Sequence, residues 1–333
     1  MGFFMKILHV LLTRMPLPPP KYGGTERVLW ALGLAQEEMG HQVRYLLKAN
    51  ANNHPDVQIY DENKSFDEQI GHWPDIVHFH WPYEGELSKP FVCTEHSNCE
   101  IEKEFPINTI YLSSKHAENN NAVCYVHNGL YWKSYGEPNL EKPKNYVHFL
   151  AKASWRVKNL QGTVRIAKAA NIPLHVLGGN RINIRRNPYF YLSPNLRFHG
   201  MVGGDKKNEL IANSKGLIFP VLWHEPFGLA VTESLYLGCP VFATPFGSLP
   251  DIINQENLGI LSDSYSVLID GVKQVDKFDR RACHEHAKQY FSHTAMAKSY
   301  QLCYEKVLAG EVLNPQKPKS KANIKARLMM VDE

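Results

Sequence analysis

Short apolar runs exchanging repeatedly with helix-length stretches are the feature that most constrains this chain. Runs of this kind lie at residues 6–12, 42–47, 76–80, 91–94, 109–112 and 122–126. They return at 146–150, 174–177, 196–198, 217–219 and 241–243. They are short and mainly apolar, as expected of strands buried on both faces of a parallel sheet. The stretches between them have helix ends. Thr25 is expected to cap a helix whose apolar face is Val28, Leu32, Ala35 and Met39, with Gly40 stopping it. Residues 158–169 are a second helix candidate, and 226–237, ended by Gly238 and Pro240, a third. Strands alternating with helices imply doubly wound α/β domains. A length of 333 residues suggests about two of them. The turn-rich, charged stretch from 128 to 146, with Pro138 and Pro143, reads as their linker. After Ala243 the chain is expected to be mainly helical, over 278–290 and 293–308.

Several function classes are disfavoured. The 37 Lys+Arg against 33 Asp+Glu give a net charge of +4, too mild for a dedicated nucleic-acid binder. No run approaches the ~18 apolar residues of a membrane span. The start, MGFFMKILHVLL, is interrupted by Lys6 and followed by Arg14, so it reads as a first strand rather than a signal peptide, and a cytoplasmic location is expected. The six cysteines (Cys93, Cys99, Cys124, Cys239, Cys283 and Cys303) form no C-x-x-C, which fits a reducing compartment. Cys93, His96 and Cys99 are three apart, but zinc would need a further group, so packed thiols are the favoured reading and no metal is expected. The end carries Lys317, Lys319, Lys321, Lys325 and Arg327 before Leu328-Met329-Met330-Val331. A weak peripheral membrane contact is one reading of this tail; a flexible, solvated segment is the favoured one.

Four constellations can carry chemistry. The strongest is His224-Glu225-Pro226-Phe227-Gly228-Leu229-Ala230-Val231-Thr232-Glu233, with two carboxylates eight residues apart around a helix start. Pro226 suits a first helical turn, Gly228 admits a ligand close to the backbone, and the unpaired amides there form an anion site. With both glutamates on the helix they would stand ~12 Å apart along its axis. A diphosphate-linked polyol could then set its phosphates between them. The plain alternative is one cap glutamate and one exposed glutamate. Lys152, Arg156 and Lys158 follow a strand and could neutralise a diphosphate, or form a solvated basic loop. Lys21-Tyr22-Gly23-Gly24-Thr25-Glu26-Arg27 puts paired glycines before a helix; this is a weak signal, and G-x-G-x-x-G occurs nowhere in the chain. Finally, His78 and His80 share one face of a strand, with His80 nearer its C-terminal end and so better placed for a ligand. His96, after the next strand, is a similar but weaker case.

Taken in order, Gly23-Gly24, His80, Val126-His127-Asn128-Gly129, Lys152 with Lys158, Gly178-Gly179 and the Glu225…Glu233 element followed by Leu237-Gly238-Cys239-Pro240-Val241 resemble family 4 (group 1) retaining glycosyltransferases of GT-B fold. The resemblance runs from about Met5 to Leu308. It implies an α/β chain of two Rossmann-like doubly wound domains facing each other across a cleft. An acceptor-side domain would span 1–130, a linker 131–145 and a donor-side domain 146–291. A helix over 292–311 would pack back on the first domain, before a tail over 312–333. By position, the resemblance implies that Glu225 binds donor-sugar hydroxyls and Glu233 the ribose. Backbone groups of Pro226, Phe227, Gly228 and Leu229 would hold the donor. Lys152 and Lys158, with Arg156 and Gly178 nearby, would hold the diphosphate. Gly23-Gly24 would border phosphate and sugar, and His80 would contact the sugar near the reacting carbon. The sequence departs from the family where Ala151-Lys152 replaces Gly-Arg, Asn159 replaces a glycine, and Gly247-Ser248-Leu249-Pro250-Asp251 replaces Gly-Gly-x-x-Glu.

The expected function is therefore transfer of a sugar from a UDP-, GDP- or ADP-linked donor to a glycan or lipid-linked acceptor, in cell-envelope polysaccharide or lipopolysaccharide synthesis. No cofactor is expected, and with no Asp-x-Asp in the chain no metal. A sugar-nucleotide epimerase and a non-catalytic sugar-nucleotide-binding protein are the alternatives. An NAD-dependent dehydrogenase is disfavoured by the missing glycine fingerprint.

Overall fold

The computed structural model describes residues 4–13, 15–19, 23–48, 54–99, 101–180, 194–321 and 328–332. Lys21, Tyr22, Lys325 and Arg327 lie outside them. The chain divides into two units, residues 1–131 with 291–324, and residues 132–290 with 325–333.

The first unit is built on β1 (Lys6–Leu11), β2 (Gln42–Leu47), β3 (Val57–Ile59), β4 (Ile76–Phe79), β5 (Phe91–Thr94) and β6 (Thr109–Ile110). All pair in parallel, in the order β3-β2-β1-β4-β5-β6. Its helices are α1 (Gly24–Glu38), α2 (Phe66–Ile70), α3 (Ser114–Glu118) and, from the far end of the chain, α10 (His293–Leu308). The second unit contains β7 (Val147–Leu150), α4 (Leu160–Ala169), β8 (Leu174–Leu177), β9 (Leu196–Phe198), α5 (Gly204–Ala212), β10 (Leu217–Phe219), α6 (Leu229–Tyr236), β11 (Val241–Ala243), α7 (Leu249–Ile252), β12 (Gly259–Leu261), α8 (Tyr265–Lys273) and α9 (Arg280–Tyr290). Its sheet is also parallel, in the order β12-β11-β10-β7-β8-β9. Numbered within each unit, both orders are 3-2-1-4-5-6, the Rossmann order. In that order the chain reverses direction of winding between the first and fourth strands, and the crevice for a ligand opens at their C-terminal ends. Those strands are β1 and β4 in the first unit, and β7 and β10 in the second.

One face of the second sheet is apolar. Val147, Phe149, Leu174, Val176 and Ile218 bury against Leu160 and Val164 of α4 and Leu268 and Val272 of α8. Successive strand residues face opposite ways, so His148 points to the other face, where its ring bonds Ser214 and Ser234 at 2.8 and 2.9 Å.

The structure revises several elements. Thr25 does not cap α1; Gly23 does, without a side-chain hydrogen bond, and Thr25 lies in the first turn. The expected helix from 226 starts only at Leu229, because Gly228 stands in the left-handed region at φ 93° and breaks the path. Pro226 is thus not in a first helical turn, and Glu225 lies outside the helix, so the estimate of their axial separation does not apply. Residues 122–126 make only a bridge, Tyr111 to Tyr125. Strands β3 and β12 were not anticipated. The stretch expected as a linker is partly built into the second unit: the Trp132 ring stacks on Tyr236 at 4.2 Å between centroids.

The expected flexible tail is corrected where it is described. Asn314 Oδ1 accepts from the amides of Val123 and Cys124, and Phe105 N–H donates to Pro318. Lys319 pairs with Glu102 at 2.6 Å. Further on, Leu328 N–H donates to Leu222, and Met330 is buried in the apolar core of the second unit. Met330 is thus withdrawn from any bilayer contact, whereas Met329 and Val331 beside it are exposed. Among the described residues no helix is long and apolar enough to cross a membrane.

Candidate active site

Loops at the C-terminal ends of β7 and β10 bring Lys158 and Glu225 together at the second unit's switch point. After β7 the chain makes a 3-10 turn, Arg156–Lys158, and then places Asn159 in the left-handed conformation at φ 52°. Asparagine tolerates this region better than most residues, which accounts for Asn159 where the family has a glycine. Its Oδ1 accepts from Gly162 N–H to cap α4, and its Nδ2 donates to Pro220 O beyond β10. That clasp fixes one loop against the other. Lys158 Nζ then lies 2.5 Å from Glu225 Oε2, which also accepts from Trp223 Nε1 at 2.8 Å. The ammonium stands 4.9 Å from the Trp223 ring centre and 5.2 Å from that of Phe219. Both charged side chains are almost wholly buried.

Glu225 is held from behind as well. Its backbone bridges to Gly247, its carbonyl accepts from Ser248 N–H, and Ser248 Oγ donates to Phe227 O. Gly228 provides no side-chain cap to α6. The first amides of a helix have no partner within it, so those of Leu229 and Ala230, both half-buried, are available to an anion. Phe227 is buried, as is Pro226. Gly178 has a packing reason: a Cβ there would lie 2.0 Å from Ala151 O.

Lys152 and Arg156 stay exposed, and Lys152 Nζ sits 5.9 Å above the Trp155 ring. Of the three expected cations, only Lys158 is thus drawn into the buried constellation.

Glu233, on α6, is buried and accepts from Tyr135 Oη and Lys207 Nζ, each at 2.8 Å. Lys207 stands 4.9 Å over the Tyr135 ring. Sequence reasoning missed Tyr135, Lys207 and Trp223. Lys207 had a signal: it shares the inward face of α5 with Leu210 and Ile211, where a solvated lysine does not belong. Tyr135 had none, lying in the stretch read as linker.

In the first unit, His80 is buried and both its ring nitrogens are engaged. His9 Nε2 bonds Gln36 Oε1 at 2.7 Å, so it carries the proton and His9 Nδ1 accepts from His80 Nε2 at 3.1 Å. His80 Nδ1 accepts in turn from His96 Nε2 at 3.1 Å. Burial holds His9 and His96 down to about 4 and His80 well below its ordinary value, so the chain of rings is neutral. A sugar contact through a ring nitrogen of His80 would require one of these bonds to break. Half-buried His96 ends the chain of rings.

Ligand atoms of His9, His78 and His80 lie within 4.8 Å of one another, a spacing a metal could bridge. The donors do not fit that role, because His78 is engaged by Tyr304 and Thr94 and all six ring nitrogens are already hydrogen-bonded. Cys93, His96 and Cys99 form no such group among the described residues. Gly23 is the N-cap of α1, where a Cβ would lie 2.7 Å from Glu26 Oε2; Gly24 is the helix's first residue.

Residues 131–289, nearly the whole second unit, match the family model described as Glycosyl transferases group 1. Among solved structures, AviGT4, a glycosyltransferase involved in avilamycin A biosynthesis, is 18% identical; the match covers 93% of this chain and all of that one, at a TM-score of 0.75. Alr3699/HepE of Anabaena in complex with UDP and glucose is 15% identical over 90% of this chain and 99% of its own, at 0.64. WaaG, a glycosyltransferase involved in lipopolysaccharide biosynthesis, is 15% identical over 89% and 98%, at 0.62. At such identities the likeness is one of fold, and it is the GT-B fold. A comparison with curated protein sequences finds no match.

Proposed function

We propose that this chain is a retaining, metal-independent glycosyltransferase that moves a sugar from a nucleoside-diphosphate sugar to an acceptor hydroxyl. The observation that carries the reading is the buried Lys158–Glu225–Trp223 arrangement beside the uncapped start of α6, at the switch point of a unit that matches group 1 glycosyl transferases. The barrier lies in departure of the nucleoside diphosphate, and the protein must stabilise the charge growing on it. Lys158 and the first amides of α6 supply positive potential to the phosphates, and exposed Lys152 and Arg156 add to it. Glu225, oriented by Trp223, takes sugar hydroxyls. Glu233, oriented by Tyr135 and Lys207, takes the ribose.

The bond from anomeric carbon to diphosphate oxygen breaks with its electron pair going to the diphosphate. The acceptor oxygen bonds the same face of that carbon, through an oxocarbenium-like state. Its proton leaves with the departing phosphate oxygen, so no protein nucleophile is required. Complexes of HepE with UDP and of starch synthase IV with ADP support a UDP- or ADP-linked donor. The role of WaaG in lipopolysaccharide biosynthesis supports a glycan-building pathway.

Thermal-shift screening against UDP-, GDP- and ADP-sugars tests the donor, since a ligand that binds the folded form raises the melting temperature. The stabilising donor is then incubated alone and with lipid-linked and glycan acceptors. Isomerised donor without acceptor would replace the transferase reading with an epimerase. Binding without turnover on any acceptor would leave a sugar-nucleotide-binding protein.

A further inference from the structure

The polar face of the second sheet, opposite its apolar core, carries a cavity of about 390 Å³ at the β8–β9 edge. Its size falls within the range of small-molecule sites. Strand alternation sends Leu174, Val176 and Leu196 into the apolar core and turns His175 and Arg197, paired in register, to the cavity. His199 joins them just after β9, Lys144 enters from just before β7, and α5 contributes Lys206 and Glu209. Three cations thus face one carboxylate, and that carboxylate is taken by Lys206 at 3.4 Å. Among the described residues no carboxylate pairs with Lys144 or Arg197.

The two histidines are the unusual part. His175 is 7% exposed, stacked on Tyr146 at 3.8 Å between centroids, and its Nδ1 is buried with no hydrogen-bond partner among the described residues. His199 Nε2 is buried and equally unpartnered among them. Buried polar atoms are nearly always satisfied, and an exception calls for an explanation. Protonation does not supply one. Burial, then the neighbouring His199, Arg197 and Lys144, push His175 down to about 4. Burial, Lys206 and Arg197 likewise lower His199. Neutral imidazoles with spare nitrogens, beside two cations, Lys144 and Arg197, that lack a carboxylate among the described residues, form an environment that a dianion would complete.

We propose that this cavity binds a phosphomonoester, with Arg197 and Lys144 gripping the phosphate and His175 and His199 donating to it. One phosphate group fills only part of the cavity, so the ligand has a polar body as well as an anionic head. The position differs from that of the proposed diphosphate site, which lies at the C-terminal ends of β7 and β10 and uses Lys158.

Calorimetry on the full chain with inorganic phosphate and with glycerol 3-phosphate tests the assignment. Glycerol 3-phosphate should bind, and more tightly than inorganic phosphate. Arg197→Ala should weaken it by about tenfold or more, as expected for loss of a charge-assisted bidentate contact. Arg197→Lys should recover part of that loss, and Lys152→Ala should leave glycerol 3-phosphate binding at this cavity unchanged. In the wild-type chain, the ligand should raise the pKa of His175 read from its imidazole NMR signals. No binding at about 10 mM, a weak regime near 3 kcal/mol, overturns the proposal. So does loss in Lys152→Ala with Arg197→Ala unaffected, which would place the phosphate at the diphosphate site. An unmoved His175 titration overturns its role as a donor. Arg197 is exposed, so Arg197→Ala should retain the fold; far-ultraviolet circular dichroism checks this, and the Lys144→Ala variant repeats the test from the other side of the cavity.

Discussion

Lys158 Nζ and Glu225 Oε2 stand 2.5 Å apart, although 67 residues separate them in the chain. They come from the two loops that flank the switch point, so the ion pair closes the crevice at its base. Arrival of a diphosphate would give Lys158 a second anion and loosen its hold on Glu225, coupling phosphate binding to sugar recognition.

Removing one partner leaves the other charge buried and unpaired. Lys158→Met and Glu225→Gln should each cost roughly 3–5 kcal/mol of stability. The double variant should cost less than their sum, because the pair is removed as a unit. Urea denaturation of the four proteins measures the coupling, and additive losses would show that the pair does not form. If Glu225 takes the sugar hydroxyls and Lys158 the diphosphate, as proposed, all three variants should lose turnover.

Tyr135→Phe removes one donor from a buried carboxylate and should cost about 1.5–3 kcal/mol. If Glu233 takes the ribose, nucleoside and nucleoside diphosphate should weaken alike, because both carry the ribose. Lys152→Ala should weaken only the diphosphate. Calorimetry with both ligands separates the two patterns.

Acid should destabilise the first unit. A histidine in the unfolded chain titrates near 6.5, whereas burial holds His9 and His96 down to about 4. Between those values the unfolded chain binds more protons, so stability rises with pH there. The contribution is complete above pH 6.5 and is lost as pH falls through 4. For His9 alone it is on the order of 3 kcal/mol. Denaturation midpoints at pH 7.5 and pH 5 check this; a midpoint that rises on acidification would contradict it.

Excess EDTA should leave turnover within about twofold, only ~0.4 kcal/mol in barrier. A divalent ion beside Lys158 would meet like-charge repulsion. Activity lost in EDTA and restored by Mg²⁺ or Mn²⁺ would overturn the leaving-group mechanism. Circular dichroism on the same sample distinguishes removal of a structural ion, which would disturb the fold.

Strands with a short, mainly apolar run were legible in the sequence. Residues 42–47, 91–94, 174–177, 196–198, 217–219 and 241–243 are strands with those bounds. The unanticipated β3 and β12 are three-residue strands at sheet edges; in β3, Gln58 and Ile59 are exposed, so no apolar run marks it. Residues 122–126 misled for the opposite reason: Val123 and Tyr125 are apolar and aromatic yet exposed. At the candidate site, Glu225, Glu233 and Lys158 were legible from local motifs. Of their partners, Lys207 left only the signal of a lysine on the inward face of α5, and Tyr135 left none, because its contact depends on how the stretch before β7 packs on α6. The bonds of His80 to His9 and His96 were not legible either, because strand pairing in the folded sheet brings these residues together.

Met330→Ala should cost roughly 2–5 kcal/mol, as for truncation of a fully packed side chain. Chemical denaturation monitored in the second unit, through Trp155 or Trp223, reads it. No change would mean that the end of the chain adds nothing to that core.

The burial of Met330, together with the carboxylate of Asp332 accepting from Tyr265 N–H and Ser264 Oγ, has a consequence for biosynthesis. Domains generally mature in the order in which they leave the ribosome. Here the first unit waits for α10, and the second waits for Met330 and Asp332. Neither core is therefore complete until the chain has been made well beyond its own strands. A nascent chain halted at residue 290 would hold two sheets with neither fully sealed, an intermediate suited to chaperone capture.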